Sequence, residues 1–106
     1  MAQNVKRTVP MTHIVYLELI RRGCKVSIGK LAEKEVDFVA DDDDGITYYQ
    51  VSASTLDENA LKRELGPLQR ISDNHPKFLL TLDDYLPNAN YEGIRKMNVL
   101  YWLLNK

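Results

Sequence analysis

Glu35-Val36-Asp37-Phe38-Val39-Ala40 runs into Asp41-Asp42-Asp43-Asp44-Gly45 and on into Ile46-Thr47-Tyr48-Tyr49-Gln50-Val51-Ser52-Ala53. The first run alternates Val36, Phe38 and Ala40 with Glu35, Asp37 and Val39, the period of a strand. The last is rich in β-branched and aromatic residues, which suit a pleated surface. Between them Asp44-Gly45 is a hairpin-turn dipeptide. The stretch therefore predicts two antiparallel strands joined at an acidic tip. The four aspartates read as a solvated turn; an EF-hand loop spreads its ligands over about twelve positions and ends in Glu.

Working outward, Cys24 to Lys30 alternates Cys24, Val26 and Ile28 with polar residues and predicts a strand before the hairpin, joined to it near Gly29 to Lys34. Val9 to Arg22 predicts a helix that Gly23 stops. Its stripe is Met11, Ile14, Val15 and Glu18, and Leu17 and Ile20 widen the apolar surface, so more than one side is expected to be buried. Beyond the hairpin, Thr55-Leu56-Asp57-Glu58 opens a second helix with a capping residue at Thr55 or Asp57. Leu61, Leu65, Leu68 and Ile71 follow at helical spacing, and Pro67 is expected to kink or divide it. Asp73-Asn74-His75-Pro76 is a turn, Lys77 to Leu82 a buried strand, and Leu86 to Gly93 a loop. Ile94 to Asn98 and Val99 to Asn105 add a last strand and a short helix.

The expected fold is α/β: an αβββαβ core with a central mixed sheet flanked by helices, plus an extra C-terminal strand and short helix. A chain of 106 residues holds one such domain, read here as 9–106 behind a lead-in over 1–8. The net charge of −1 and pI near 6.1 give no overall basic footprint for nucleic acid. Cys24 is the only cysteine, so no internal disulfide forms, which suits the cytoplasm. No apolar run is long enough to span a membrane, and none is expected as a partner.

Glu18, Asp37 and Gln50 are polar residues that stand where apolar ones are expected. Glu18 shares the helix stripe with Met11, Ile14 and Val15, and a carboxylate turned toward the sheet needs a partner or a metal. Asp37 falls mid-strand, against its propensity. Gln50 and Ser52 share a face with Tyr48. An i,i+4 ion pair of Glu18 with Arg22, and a lysine opposite Asp37, account for the two acids without any site.

The αβββαβ order, with Glu18 on the first helix, Asp37 on the second strand and Gln50-Val51-Ser52 on the third, resembles the PD-(D/E)XK nuclease superfamily. Ile14-Val15-Tyr16-Leu17-Glu18-Leu19, Lys34-Glu35-Val36-Asp37-Phe38-Val39-Ala40 and Tyr49-Gln50-Val51-Ser52 are similar to a narrower family. So are Arg63-Glu64-Leu65-Gly66-Pro67-Leu68, Asp73-Asn74-His75-Pro76-Lys77 and Tyr91-Glu92-Gly93-Ile94. That family is the restriction-endonuclease-like domain of unknown function that follows the ATPase core in predicted bacterial and archaeal AAA+ proteins. The resemblance implies an AAA+ ATPase domain as partner, in cis or in trans. ATP would be bound only there, since this chain has no G-x-x-x-x-G-K-[ST]. It also implies a vestigial site of Glu18, Asp37, Gln50 and Ser52.

In an active member of the superfamily, carboxylates hold Mg²⁺, the metal offsets charge on the phosphate, and the motif lysine positions the attacking water. Here Gln50 stands for the acid and brings no charge, and Ser52 stands for the lysine and brings no cation. Glu18, Asp37 and the Gln50 carbonyl leave room for weak Mg²⁺ or Mn²⁺ binding, but efficient phosphodiester cleavage is not expected. Lys62 or Arg63 could stand in spatially for the lost lysine, or contact nucleic acid, although such residues ordinarily solvate a helix face.

Three functions remain in view: a degenerate nuclease-fold accessory domain that contacts nucleic acid or protein, a metal-dependent nuclease with a rearranged site, and a structural or oligomerisation domain of open stoichiometry. Lys25, Lys30, Lys34, Lys62, Arg63 and Arg70 gathered around the acidic cleft would favour nucleic acid. An exposed apolar patch from Val99 to Leu104 would favour a protein partner. Tyr48, Tyr49, Tyr91, Tyr101 and Trp102 could offer stacking surfaces or sit at the edge of the core. His13 and His75 have no metal-ligand spacing, and Cys24 reads as a small buried hydrophobe.

Overall fold

The computed structural model describes residues 10–29, 36–85 and 87–105. The lead-in expected over residues 1–8, and Lys30 and Lys34, lie outside the described residues. The chain order is α1 (Met11–Arg21), β1 (Lys25–Ile28), β2 (Phe38–Asp42), β3 (Gly45–Val51), α2 (Glu58–Gln69), β4 (Lys77–Thr81), β5 (Ala89–Tyr91), β6 (Ile94–Asn98) and α3 (Val99–Leu104). The six strands form one sheet in the order β1-β2-β3-β4-β6-β5. β1, β2 and β3 are an antiparallel meander. β4 lies parallel to both β3 and β6, and β5 closes the far edge antiparallel to β6. This is the αβββαβ core with its mixed sheet and appended C-terminal strand and short helix.

Strand alternation sorts the core into two layers. Tyr49, Val51 and Leu80 face α1 and α3, where they meet Val15, Leu19, Val99 and Trp102. Tyr48 and Leu79 face α2 and meet Leu65 and Leu68. β3 and β4 lie in the middle of the sheet and are covered on both sides. This explains why Lys77 to Leu82 is apolar without alternation.

Several elements depart from the sequence reading. β2 begins at Phe38, so Asp37 lies just before the strand and not in its middle. Val36 packs on the α2 side while Phe38 and Ala40 pack on the other. The expected single face therefore breaks at the bend. Gly29 is the reason the chain can close there. A Cβ on it would lie 2.2 Å from the Val36 carbonyl oxygen, and its N–H donates to the Asp37 carbonyl at 3.2 Å.

α2 is not divided at Pro67 but runs on to Gln69. The proline falls in the last turn, where losing one helical hydrogen bond does little harm. The expected loop before β6 contains β5. Glu92 (φ 53°) and Gly93 (φ 95°) both adopt left-handed backbone, the form of a two-residue type I′ hairpin. Glutamate is an unusual first residue for that turn, which hid the signal. α1 buries Val15 and Leu19 but leaves Ile14, Leu17 and Ile20 exposed, so it is covered on one side only.

A candidate cleft between the β2–β3 hairpin and α2

The β2–β3 ladder stops at the pair Phe38–Tyr49, and two side chains continue it. The Asp37 N–H donates to Gln50 Oε1 at 2.9 Å. The Val51 N–H donates to Asp37 Oδ2 at 2.8 Å. Gln50, only 7% exposed, then uses its amide Nε2–H to reach Glu64 Oε1 on α2 at 3.0 Å. The Gln50 amide cannot be turned round, because that would set two donors against each other at Asp37. Asp37, Gln50 and Glu64 thus form one chain of bonds across the floor of a cleft of about 510 Å³. Val51, Arg63, Pro67 and Arg70 complete its lining.

The floor of the cleft is hydrogen-bonded without a cation. A metal needs acceptors that converge, but Asp37 Oδ2, Gln50 Oε1 and Glu64 Oε1 are each already taken by an N–H donor. Gln50 also presents a donor, not an acceptor, toward Glu64. Among the described residues no three His, Cys, Asp or Glu side chains gather as a metal site.

The structure brings together only part of the predicted set. Glu18 lies on α1, in the layer on the other side of the sheet from Gln50. Its carboxylate is clasped by Arg21 (2.8 and 2.7 Å) and by Arg22 Nε (2.7 Å). The Arg21 hydrogen bond dominates, burial opposes it, and Arg22 adds to it; the net result draws Glu18 from 4.5 down to about 2. Ser52 Oγ–H donates to the Ser54 carbonyl at 3.1 Å and supplies no charge. Arg63 borders the cleft with its Nε 3.8 Å from Glu64 Oε2. Lys62 pairs loosely with Glu58 at 3.9 Å on the outer face of α2.

Sequence reasoning missed Glu64. It lies three residues after Leu61 and four before Leu68, on the apolar stripe of α2, and that spacing was the available signal. Of the aromatic residues, Tyr48, Tyr49 and Trp102 are buried, while Tyr101 is exposed. A larger hollow of about 700 Å³ opens at the start of β4 and β6. Its polar wall is a turn closed on itself. Tyr48 Oη–H donates to Asp73 Oδ2 at 2.6 Å, and Lys77 Nζ donates to the Asp73 and His75 carbonyls. Burial, followed by the Asp73 bond, raises Tyr48 to about 12.

The depressed Glu18 makes a prediction. A carboxylate held below its unfolded value adds stability above that value and loses it as the pH falls through the folded one. The contribution of Glu18 is thus present at pH 5 and above, and fades between about pH 4.5 and 2. Urea midpoints measured across that window should fall less steeply in Glu18→Gln than in the wild type. Parallel curves would remove the ion cluster from the account.

Among the described residues no helix is long and apolar enough to cross a membrane. No family model matches the chain, and no solved structure matches it. The chain is similar to an uncharacterised protein of Haemophilus influenzae, 42% identical over 94 residues. That match covers 89% of this chain but only 22% of the relative's length.

Proposed function

We propose that this domain is a catalytically inert nuclease-fold accessory module of a longer, AAA+-type ATPase polypeptide, one that works by contact with protein. The observation behind it is the Gln50 bridge. At the position where the superfamily carries an acid, Gln50 links the Asp37 N–H to the Glu64 carboxylate. Asp37 in turn satisfies the Val51 amide. Residues that would hold a metal in an active relative serve here to finish a sheet and fasten it to a helix. With Ser52 in place of the lysine, neither half of the chemistry remains. The likeness to one stretch of a much longer polypeptide supports the accessory role.

A second reading, a metal-dependent nuclease with a rearranged site, has one observation in its favour. Glu64 brings a carboxylate beside Asp37 and Gln50, with the Arg63 guanidinium at the mouth.

Gln50→Glu separates the two. It removes the Nε2–H donor and places a third carboxylate next to Glu64. Apo stability should fall by about 1–3 kcal/mol, the cost of leaving a buried group without its partner. Mn²⁺ should then restore it, because an ion that binds only the folded state stabilises by mass action. In the wild type, calorimetry with Mn²⁺ should show no heat that depends on Asp37, with Asp37→Asn as the control that keeps an acceptor for Val51. Wild-type binding as tight as that of Gln50→Glu would sink the inert reading.

A further inference from the structure

The outward faces of the three helices differ. α2 exposes Glu58, Asn59, Lys62, Arg63 and Gln69, an ordinary solvated surface. α1 and α3 expose large apolar side chains instead. Ile14, Leu17 and Ile20 are 38%, 53% and 45% exposed, and Leu100, Tyr101 and Leu104 are 60%, 53% and 83% exposed. At about 100° per residue, Ile14, Leu17 and Ile20 share one arc with the exposed His13 and Arg21 between them, opposite the buried Val15 and Leu19.

The two helices belong to one layer, since both pack on the same face of the sheet. Arg22 ties their C-terminal ends together. Its guanidinium lies 4.3 Å from the Trp102 ring centre and donates to the Trp102 and Asn105 carbonyls. The cations of α1 are already committed, because Glu18 holds both Arg21 and Arg22. Such a surface suits neither a phosphate backbone nor an anionic membrane, which would want several uncommitted Lys or Arg. Six large apolar side chains exposed on one helical layer suit a protein contact better than either.

The Haemophilus relative supplies a candidate partner in its own remaining sequence. Its match to this chain takes up 22% of its length, so more than three quarters of that polypeptide is other sequence. A tethered neighbour is present at high effective concentration and needs no strong interface of its own. We propose that the outer face of α1 and α3 is the docking surface for the apolar side of an adjoining domain in the same polypeptide. The proposal rests on reading this domain as a module of a longer chain, but not on that chain being an ATPase.

Hydroxyl-radical footprinting tests it, on this chain alone and on the full-length Haemophilus relative, each rate corrected for the intrinsic reactivity of the side chain at the aligned position. Positions aligned with Leu17 and Ile20 should react several-fold more slowly in the relative than here. Positions aligned with the outer face of α2 should react alike in both. Equal rates on both faces overturn the proposal. Slow reaction already in this chain, with a sedimenting dimer that Leu17→Glu dissociates, also overturns it and makes a second copy the occupant. ATP hydrolysis by the relative is measured on the same sample. Protection without hydrolysis keeps the docking surface and removes the ATPase reading; hydrolysis without protection does the reverse.

Discussion

Replacing Lys96 by methionine should lower the unfolding free energy at pH 7 by about 3–5 kcal/mol, the cost of stripping a buried charge of its partner. Lys96 is 3% exposed and Asp83 4% exposed, and their charged atoms lie 2.8 Å apart. Asp83 also accepts from the Thr55 N–H and hydroxyl at 3.0 and 3.1 Å. Its own N–H donates to Thr81 Oγ1 at 3.1 Å, and Asn98 donates to its carbonyl at 3.1 Å. One carboxylate thus fastens the end of β4 to β6 and to the loop that leads into α2.

The pH dependence identifies the cause. Burial pushes Asp83 up, but the Lys96 ammonium and the Ser54 and Thr55 donors outweigh it and hold the group well below the usual carboxylate range. In the wild type this stabilisation is present above the unfolded carboxylate value of about 3.9 and is lost as the pH falls below it. Without Lys96 the largest stabilising partner is gone and burial dominates, so protonating Asp83 relieves the variant. The gap between wild type and Lys96→Met should therefore narrow in acid. A pH-independent gap would assign the loss to packing alone. A loss under about 1 kcal/mol would show that the pair is solvated.

Trp102→Ala should cost a similar 3–5 kcal/mol, the range for emptying a large buried aromatic site. Trp102 is 4% exposed on α3 and meets the Tyr49 ring edge-on at 5.6 Å, while the Arg22 guanidinium lies over its ring. α3 has six residues, too few to persist without tertiary support. Removing the indole should therefore release the helix as well as leave a void. Urea unfolding followed by circular dichroism reads the loss, with Trp102→Phe as a milder control. A cost near zero would mean that α3 contributes no anchoring to the sheet.

What the sequence made legible was what local chemistry decides. The Asp44-Gly45 turn, the β-branched run of β3 and the Gly23 stop are short-range signals, and they placed the hairpin and the end of α1. Asp57 does cap α2, its carboxylate accepting from the Asn59 N–H at 3.1 Å. The facing of α1 was less legible, because Ile14, Leu17 and Ile20 are as apolar as the residues it buries. With apolar residues on both sides, the helix does not give its own rotation, and the sheet fixes it.

The candidate site was half legible for a related reason. Asp37 and Gln50 could be picked out because each is polar in an apolar run. Their direct partners, the Val51 amide and Glu64, lie 14 residues away along the chain from Asp37 and Gln50 respectively, and no local signal links them. Glu18 shows the opposite case. Its nearest explanation, an ion pair one turn along the helix, is the contact the structure holds. The Asp83–Lys96 pair escaped notice because a lysine in a short strand ordinarily reads as solvent-facing.

The most direct test of the inert-module account is a cleavage assay on the purified chain. Supercoiled plasmid and single-stranded RNA are incubated with it in Mg²⁺ and in Mn²⁺, beside Asp37→Asn prepared in the same way. No product above the buffer control is expected in either metal, and no difference between the two proteins. Metal-dependent nicking or RNA cleavage by the wild type that disappears in Asp37→Asn would contradict it, and would make the cleft between the hairpin and α2 an active nuclease site.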